Sequence, residues 1–269
     1  MHTTTRSVLV TGASAGIGRA CAGALHAAGW EVTAASRRGT APQGCVGQVM
    51  DVDDDDSVRA GMSQMLAARG RIDAVVTAAG WGLAGAAESC SVTEAKAQLE
   101  TNFWGSVRVV QQALRAMRAQ GSGRVVLISS IAGQLGIPYQ AFYSASKFAL
   151  EGYGEALAYE VAPFGVYVTL VQPGNVRTGF TASRQIARAA QQDEIYGVAA
   201  ARSIGRMERD ERNGVPPDDV AGVVVRVLST SRPPRRVSVG KANERAALLA
   251  RRLLPFRVFE AAARSSLTG

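Results

Sequence analysis

The feature that most constrains this chain stands near its start. Arg6-Ser7-Val8-Leu9-Val10 reads as a buried strand, and it runs straight into Thr11-Gly12-Ala13-Ser14-Ala15-Gly16-Ile17-Gly18. Beyond the glycines, Ile17, Ala20, Cys21, Ala24, Leu25 and Ala28 repeat at helical spacing, and Gly29 closes the helix. A strand, a glycine loop and a helix in that order make a cradle for a pyrophosphate, with backbone amides and the helix N-terminus facing the anion. Glycines let the backbone approach a ligand without Cβ clashes. An ordinary glycine turn is the alternative; the position between a strand and a helix favours the cradle. Gly12, Ser14, Ala15, Gly16, Ile17 and Gly18 are therefore candidate cofactor-binding residues.

The rest of the chain repeats the strand–helix alternation. Glu31–Ser36 forms a second strand that ends in Ala35-Ser36-Arg37-Arg38. Dinucleotide sites for NAD place an acid there for the ribose 2′-hydroxyl, whereas NADP sites use arginine for the 2′-phosphate. No acid and two arginines favour NADP(H) over NAD(H), with Ser36, Arg37 and Arg38 as the contacts; a solvated basic turn is the alternative. Residues 46–52 form a third strand, with Asp51 and Val52 where an adenine ring would sit. Asp53 to Asp56 read as an N-cap and first helical turn rather than an anionic site. Residues 72–79 form strand four, leading to Ala79 and Gly80. A long helix over 93–120 carries Asn102 on or near its apolar stripe, where a buried amide needs partners. Residues 124–128 form strand five and deliver Ser129 and Ser130 to its carboxyl end, where open α/β sheets bind ligands. Residues 166–171 form strand six, followed by Pro173-Gly174-Asn175-Val176-Arg177-Thr178. Residues 180–215 read as irregular or helical, 218–228 as a helix, and 237–239 as a last short strand. The pattern predicts a doubly wound α/β fold in one domain over 1–240, with a mainly parallel sheet in the order 3-2-1-4-5-6 and helices on both faces.

Tyr143-Ser144-Ala145-Ser146-Lys147 places a tyrosine and a lysine four residues apart on one helix face. Free phenol, with a pKa of about 10, is a poor acid–base group at neutral pH. A fixed ammonium beside it favours the phenolate and lowers that value. Alone the pair means little, because any surface helix can carry one.

Composition narrows the classes further. The chain has 269 residues, 47% hydrophobic and 19% charged, a globular balance with no linker or internal repeat. No apolar run reaches the length of a membrane span, and the run Val8-Leu9-Val10 is too short for a signal peptide core, so an intracellular, cytoplasmic location is expected. Cys21, Cys45 and Cys90 lack metal or disulfide spacing, and His2 and His26 leave no histidine-based catalytic set; no metal is expected. The net charge of +8 is uneven: from Ser231 onward there are nine basic and two acidic residues, a net of +7.

Taken together the motifs resemble the short-chain dehydrogenase/reductases from Arg6 to about Gly240. Thr11-Gly12-x-x-x-Gly16-x-Gly18 resembles their cofactor loop, and Asn102 falls where their helical asparagine lies. Ser130 stands thirteen residues before Tyr143, the family's interval; Tyr143-x-x-x-Lys147 and Pro173-Gly174-x-Val176-x-Thr178 complete the set. The segment Tyr143 to Gly152, with Pro163-Phe164-Gly165-Val166, is most similar to the 17β-hydroxysteroid and retinol dehydrogenase branch. One departure is Thr77-Ala78-Ala79-Gly80, where the family has Asn-Asn-Ala-Gly; two amide side chains that brace the sheet are missing, which puts local stability in question.

The resemblance implies a seventh strand, homo-oligomers through the two long helices, and a hydride transfer between a nicotinamide and a carbonyl or alcohol. Tyr143 would be the general acid–base residue. Lys147 would lower its pKa and bind the nicotinamide ribose, Ser130 would hydrogen-bond the reacting oxygen, and Asn102 would hold a water that relays protons to Lys147. Pro173, Gly174, Val176 and Thr178 would complete the cofactor site. Trp81, Leu135, Tyr139, Phe180, Ile186, Ile195 and Tyr196 are candidates for an apolar pocket, so the expected substrate is a small lipophilic ketone, aldehyde or secondary alcohol; packing of the core is the alternative. A catalytically silent NADPH-binding sensor or scaffold is the second reading. Nucleic acid is not expected as a partner. The tail, 241–269, is expected to form a basic amphipathic helix that buries Leu249, Leu253 and Phe256 against its own domain or a subunit, in preference to lying on a membrane surface.

Overall fold

Alternation along the strands decides where the core lies. The computed structural model describes residues 5–255 and 257–261. In β1 (Ser7–Thr11), Val8 and Val10 face one layer and Leu9 the other, and all are buried. The following elements are α1 (Gly16–Ala27), β2 (Glu31–Ser36), β3 (Val46–Val49), α2 (Asp55–Arg69), β4 (Ala74–Thr77), β5 (Leu83–Ala84), α3 (Val92–Leu99), α4 (Gly105–Gln120) and β6 (Gly123–Ile128). Then come α5 (Ala141–Val161), β7 (Val166–Pro173), α6 (Phe180–Ser183), β8 (Gln185–Ile186), α7 (Gly197–Arg212), α8 (Pro217–Ser229), β9 (Arg236–Val239) and α9 (Ala242–Leu253).

The main sheet is parallel throughout, in the order β3-β2-β1-β4-β6-β7-β9. This is the doubly wound order expected, with β9 as the seventh strand. One face packs Val8, Val10, Val76 and Val126 against α1 and α8, through residues such as Leu25, Val220 and Val224. The other packs Leu9, Val75, Leu127 and Leu170 against α2, α4 and α5, through Met62, Val110 and Leu150. Both faces are covered, as an all-parallel sheet requires.

Two differences from the expected elements matter for function. The helix foreseen over 93–120 is interrupted by a π-helical turn, Glu100–Trp104, centred on Asn102. Single π turns of this kind are rare and cluster at functional sites. Gly105 follows it because the helix there lies against Val52; a Cβ would stand 2.8 Å from a Val52 methyl. Secondly, residues 180–215, expected to be irregular or helical, carry α6 and α7 and also a strand. β8 pairs with β5 in a small separate sheet, Leu83 opposite Gln185 and Ala84 opposite Ile186, and this pins α6 over the main sheet's carboxyl edge.

The missing asparagines before Gly80 have a substitute. Thr11 Oγ1 accepts from the Ala78 and Ala79 amides at 3.1 and 3.3 Å, tying β1 to the end of β4. No helix among the described residues is long and apolar enough to cross a membrane.

Candidate active site

The carboxyl ends of the main strands open into a cavity of about 1680 Å³. The β1–α1 loop forms its floor. Gly12 and Gly16 have φ of 66° and 53°, and a Cβ on Gly12 would lie 2.8 Å from the Ala78 carbonyl oxygen. Gly18 lets the helix close onto the loop, since a Cβ there would meet the Gly12 carbonyl at 2.4 Å. Ala15 stands at the N-cap of α1, no side chain caps it and the first turn carries no acid, so the N-terminal amides are left for an anion. Gly12, Ser14, Ala15, Gly16, Ile17 and Gly18 all line the cavity.

At one end lie Ser36 and Arg37, then Asp51 and Val52. Ser36 Oγ is buried and has no hydrogen-bond partner among the described residues, a polar atom in want of a ligand. Arg38, expected as a second contact, is exposed and lies outside the residues that line the cavity. Arg37 is exposed as well but lines the cavity, and the chain turns at Gly39, φ 64°, just beyond the pair. Ala79 and Gly80 line the middle, and Pro173, Gly174, Val176 and Thr178 the far side. The residues therefore fit an extended dinucleotide: an anion cradle between an adenosine-like slot and a loop beyond β7.

Ser130, Tyr143, Lys147 and Asn102 meet above that floor. Ser130 Oγ accepts from the Ala132 amide at 3.1 Å and lies 3.4 Å from the Pro173 carbonyl. The Tyr143 ring packs against Phe180, centroids 5.6 Å apart. Lys147 Nζ donates to the Ile128 carbonyl at 2.9 Å and lies 5.8 Å from the centre of the Tyr143 ring. Asn102 Oδ1 accepts from the Trp81 amide at 3.0 Å, and Nδ2 donates to the Trp81 carbonyl and Ser146 Oγ, each at 3.1 Å. Ser146 Oγ in turn donates to the Tyr143 carbonyl at 2.7 Å, so the π turn is stitched to the first turn of α5.

The electrostatics differ from the expectation of a lowered tyrosine pKa. Burial pushes the Tyr143 phenol up to about 12; a hydrogen bond with Ser130 pulls it back, Glu211 raises it and Arg184 lowers it. Burial, Ser130, Glu211 and Arg184 rather than Lys147 set this value, and burial also lowers the pKa of Lys147 itself to about 8, opposed by the Glu151 carboxylate. The arrangement thus holds a neutral phenol and a lysine that is charged at neutral pH, side by side.

The wall facing the sheet is supplied by Phe180, Leu135, Trp81 and Met207. Gly82 lets Phe180 lie flat over it, since a Cβ would stand 2.9 Å from the ring. Beneath Phe180 the buried Arg184 pairs with Glu211, which also accepts from Thr181. Four residues expected in the pocket do not line it. Ile186 and Ile195 are exposed, Ile195 to 84%; Tyr196 turns to Glu88, its hydroxyl donating to the carboxylate at 2.9 Å. Tyr139 sits at φ 60° with its carbonyl taken by the Gly85 amide. Met207 and Ala250, with no motif to mark them, were missed; the periodicity of α7 and α9 is the signal they offered.

α9 closes the cavity on the side of β9. It buries Glu244 and Leu248, and lines the cavity with Asn243, Ala247 and Ala250. Leu249 and Leu253, expected on the buried side, are 57% and 71% exposed. The helix turns its other face inward because Glu244 is held by hydrogen bonds. Phe256 lies outside the described residues.

The short chain dehydrogenase profile matches residues 6–189. The chain belongs to the short-chain dehydrogenase/reductase family. It is similar, at 42% identity over 234 residues covering 87% of both chains, to a 3-ketodihydrosphingosine reductase of Bacteroides thetaiotaomicron. A retinol dehydrogenase 8 of Bos taurus is 33% identical over 86% of this chain and 80% of its own. A short-chain dehydrogenase from Streptomyces avermitilis superposes with a TM-score of 0.85 at 31% identity, covering 99% of this chain and all of its own. Members of the family are oxidoreductases whose fold binds a nicotinamide cofactor.

Proposed function

We propose that this chain is an NADPH-linked reductase of lipophilic ketones, run reversibly, with Tyr143, Ser130, Lys147 and Asn102 as its catalytic group. The observation that carries the reading is the meeting of a proton-bearing Tyr143 with Ser130 and Lys147 under the apolar ring of Phe180. The reduced nicotinamide supplies the hydride. Tyr143 gives its proton to the substrate oxygen, which Ser130 holds by a hydrogen bond. The phenolate left behind is stabilised by the Lys147 ammonium, which also binds the nicotinamide ribose. Asn102 fixes the π turn and the start of α5, and a water beside it returns the proton through Lys147. Carbonyl plus hydride plus proton gives the alcohol, and the reverse sequence oxidises it.

Arg37 and the unpartnered Ser36 Oγ support NADPH, since together they offer a cation and a hydroxyl to a 2′-phosphate, and the end of β2 carries no acid of its own. Phe180, Leu135, Trp81 and Met207 support an apolar substrate body. The similarity to a 3-ketodihydrosphingosine reductase supports a ketone on a long alkyl chain, and 3-ketodihydrosphingosine is the first substrate to offer. The test is NADPH oxidation across a panel of ketones of rising chain length. Turnover that grows with chain length supports the reading. Tight NADPH binding without turnover on any ketone or aldehyde favours a silent sensor instead.

A further inference from the structure

Glu244 is a carboxylate only 9% exposed, at the third position of α9, where it caps the helix through the Lys241 amide; the reaction above does not use it. Its Oε1 accepts from the Asn175 backbone amide at 3.1 Å and from Asn175 Nδ2 at 2.6 Å. Its Oε2 accepts from the Lys241 amide at 2.8 Å. Among the described residues no lysine or arginine head group pairs with it, so amides alone solvate the charge. Such a carboxylate is costly to bury unless its acceptors are filled, and removing it would strand three donors.

Two glycines make room for it. A Cβ on Gly174 would stand 2.1 Å from Glu244 Oε2, and one on Gly240 would stand 2.3 Å from it. Capping α9 accounts for the bond to the Lys241 amide but not for the two bonds to Asn175. What the carboxylate adds is a grip on Asn175, between Gly174 and Val176, which both line the cavity. The same loop is held from the other side: Val215 donates its amide to the Asn175 carbonyl at 3.0 Å and accepts from the Arg177 amide at 2.9 Å. The Gly174 amide is tied to the Val239 carbonyl at 2.7 Å. Without Glu244 the inner turn of this loop loses its only side-chain anchor on the α9 side among the described residues.

We propose that Glu244 is a positioning residue: acting through Asn175, it fixes the backbone wall at Gly174–Val176 on which the nicotinamide end of the cofactor rests. This builds on the cofactor reading of that loop given above. It makes α9, which walls the substrate cavity with Ala247 and Ala250, mechanically continuous with the cofactor wall. A substrate that orders α9 then also orders the surface against the nicotinamide.

The experiment uses the full chain and three variants, Glu244→Ala, Glu244→Gln and Asn175→Ala. Asn175→Ala removes the Nδ2 bond and leaves α9 with its backbone bond, so it covers the case in which Glu244→Ala does not fold. The readouts are NADPH affinity by cofactor fluorescence, kcat and KM with a soluble ketone, Tm, and the isotope effect with NADPH deuterated at the transferred hydrogen. The expected result for Asn175→Ala is NADPH affinity weakened about tenfold or more, the scale of losing a charged hydrogen bond. Its Tm should stay near that of the parent, and its isotope effect should rise as hydride transfer becomes limiting. Glu244→Gln, which keeps a carbonyl for Asn175, should recover part of the loss seen in Glu244→Ala. Parent protein that binds neither NADPH nor NADH overturns the cofactor site itself. Parent binding with variants that differ only in Tm overturns the role of Glu244 alone.

Discussion

On the sheet side of the cavity, each wall residue sits at the carboxyl end of a parallel strand or in the loop that leaves it: Thr11–Gly18, Ser36 and Arg37, Ser129 and Ser130, Pro173–Thr178. The opposite side is assembled from short pieces: β5 and β8 of two residues each, α6 of four, one face of α7 and one face of α9. The first side inherits its geometry from a buried sheet and cannot shift without disturbing the core. The second is held by local ties such as Gln185 to Gly82, Thr181 and Arg184 to Glu211, and Glu244 to Asn175. Chemistry fixed by the sheet and specificity carried by the cap follow from that difference. Mutations on the sheet side should therefore act on kcat and cofactor, and those on the cap mainly on substrate KM or stability, with Glu244 the exception because its tie to Asn175 reaches across to the sheet side.

The sharpest break in this comparison is Tyr143→Phe. The ring keeps its packing on Phe180 and the proton is gone. General acid–base catalysis typically contributes about 10²–10⁴-fold, so kcat should fall at least that far while NADPH still binds. A variant that keeps near-parent kcat would falsify the assignment of the acid.

Lys147 gives the next effect, through pH. Burial lowers its pKa to about 8, so the ammonium is present below that value and is lost as pH rises through it. Tyr143, pushed up to about 12, keeps its proton over the same range. The kcat/KM for ketone reduction should be level at neutral pH and drop about tenfold per unit above about 8, since each unit removes nine-tenths of the charged form. Lys147→Arg, whose guanidinium stays charged, should be slower but should lose that limb. A parent profile that stays level through this pH would remove the ammonium from the rate-limiting step.

What the sequence made legible follows the same division. Short, continuously apolar strands and glycines at fixed offsets announce their own positions, so the sheet order, the cradle and the Tyr143–Lys147 helix could be read directly. The cap could not. Leu83 pairs with Gln185 across about a hundred residues in a two-residue strand, too short for any period to show. Ile195 and Tyr196 are apolar enough for a pocket but sit on the far side of α7's start. Arg38 looked equal to Arg37 because Gly39 marks a turn without saying which of the two arginines lines the cavity. In α9 the spacing of leucines pointed to one face, and the hydrogen bonds of one glutamate chose another. Compensation was equally hidden: Thr11 takes over the bracing of Ala78 and Ala79 from β1, remote in sequence.

Cofactor preference should change by a smaller factor. Arg37→Ala removes the arginine at the end of β2 that lines the cavity, and a charged hydrogen bond of about 1.5–3 kcal/mol corresponds to roughly ten- to a hundredfold in affinity. NADPH should weaken by that amount and NADH hardly at all. Ser36→Asp with Arg37→Ala should go further and make NADH the better cofactor. Arg38→Ala, outside the cavity, should do little. Equal loss for both cofactors in Arg37→Ala would mean that this arginine does not read the 2′-phosphate.

The smallest effect tests the cap against itself, on the two faces of α9. Leu248 is buried, and truncating a buried leucine costs about 2–5 kcal/mol in a tight core. At the edge of the domain the neighbours can relax, so Leu248→Ala should fall near the low end of that range. Leu249 and Leu253 are on the water side of the same helix, flanked by the exposed Arg245 and Arg252. Surface substitutions of this kind stay within about 0.5 kcal/mol, so Leu249→Gln with Leu253→Gln should leave Tm and kinetics unchanged. Thermal melts of the two variants and the parent, run beside sedimentation with phosphatidylglycerol vesicles, separate the outcomes. If the outer pair leaves Tm alone but abolishes sedimentation, the basic face of α9 serves a bilayer while its inner face serves the cavity. If the outer pair lowers Tm as much as Leu248→Ala, those leucines are covered in solution by a second subunit, and the cap is completed by its partner.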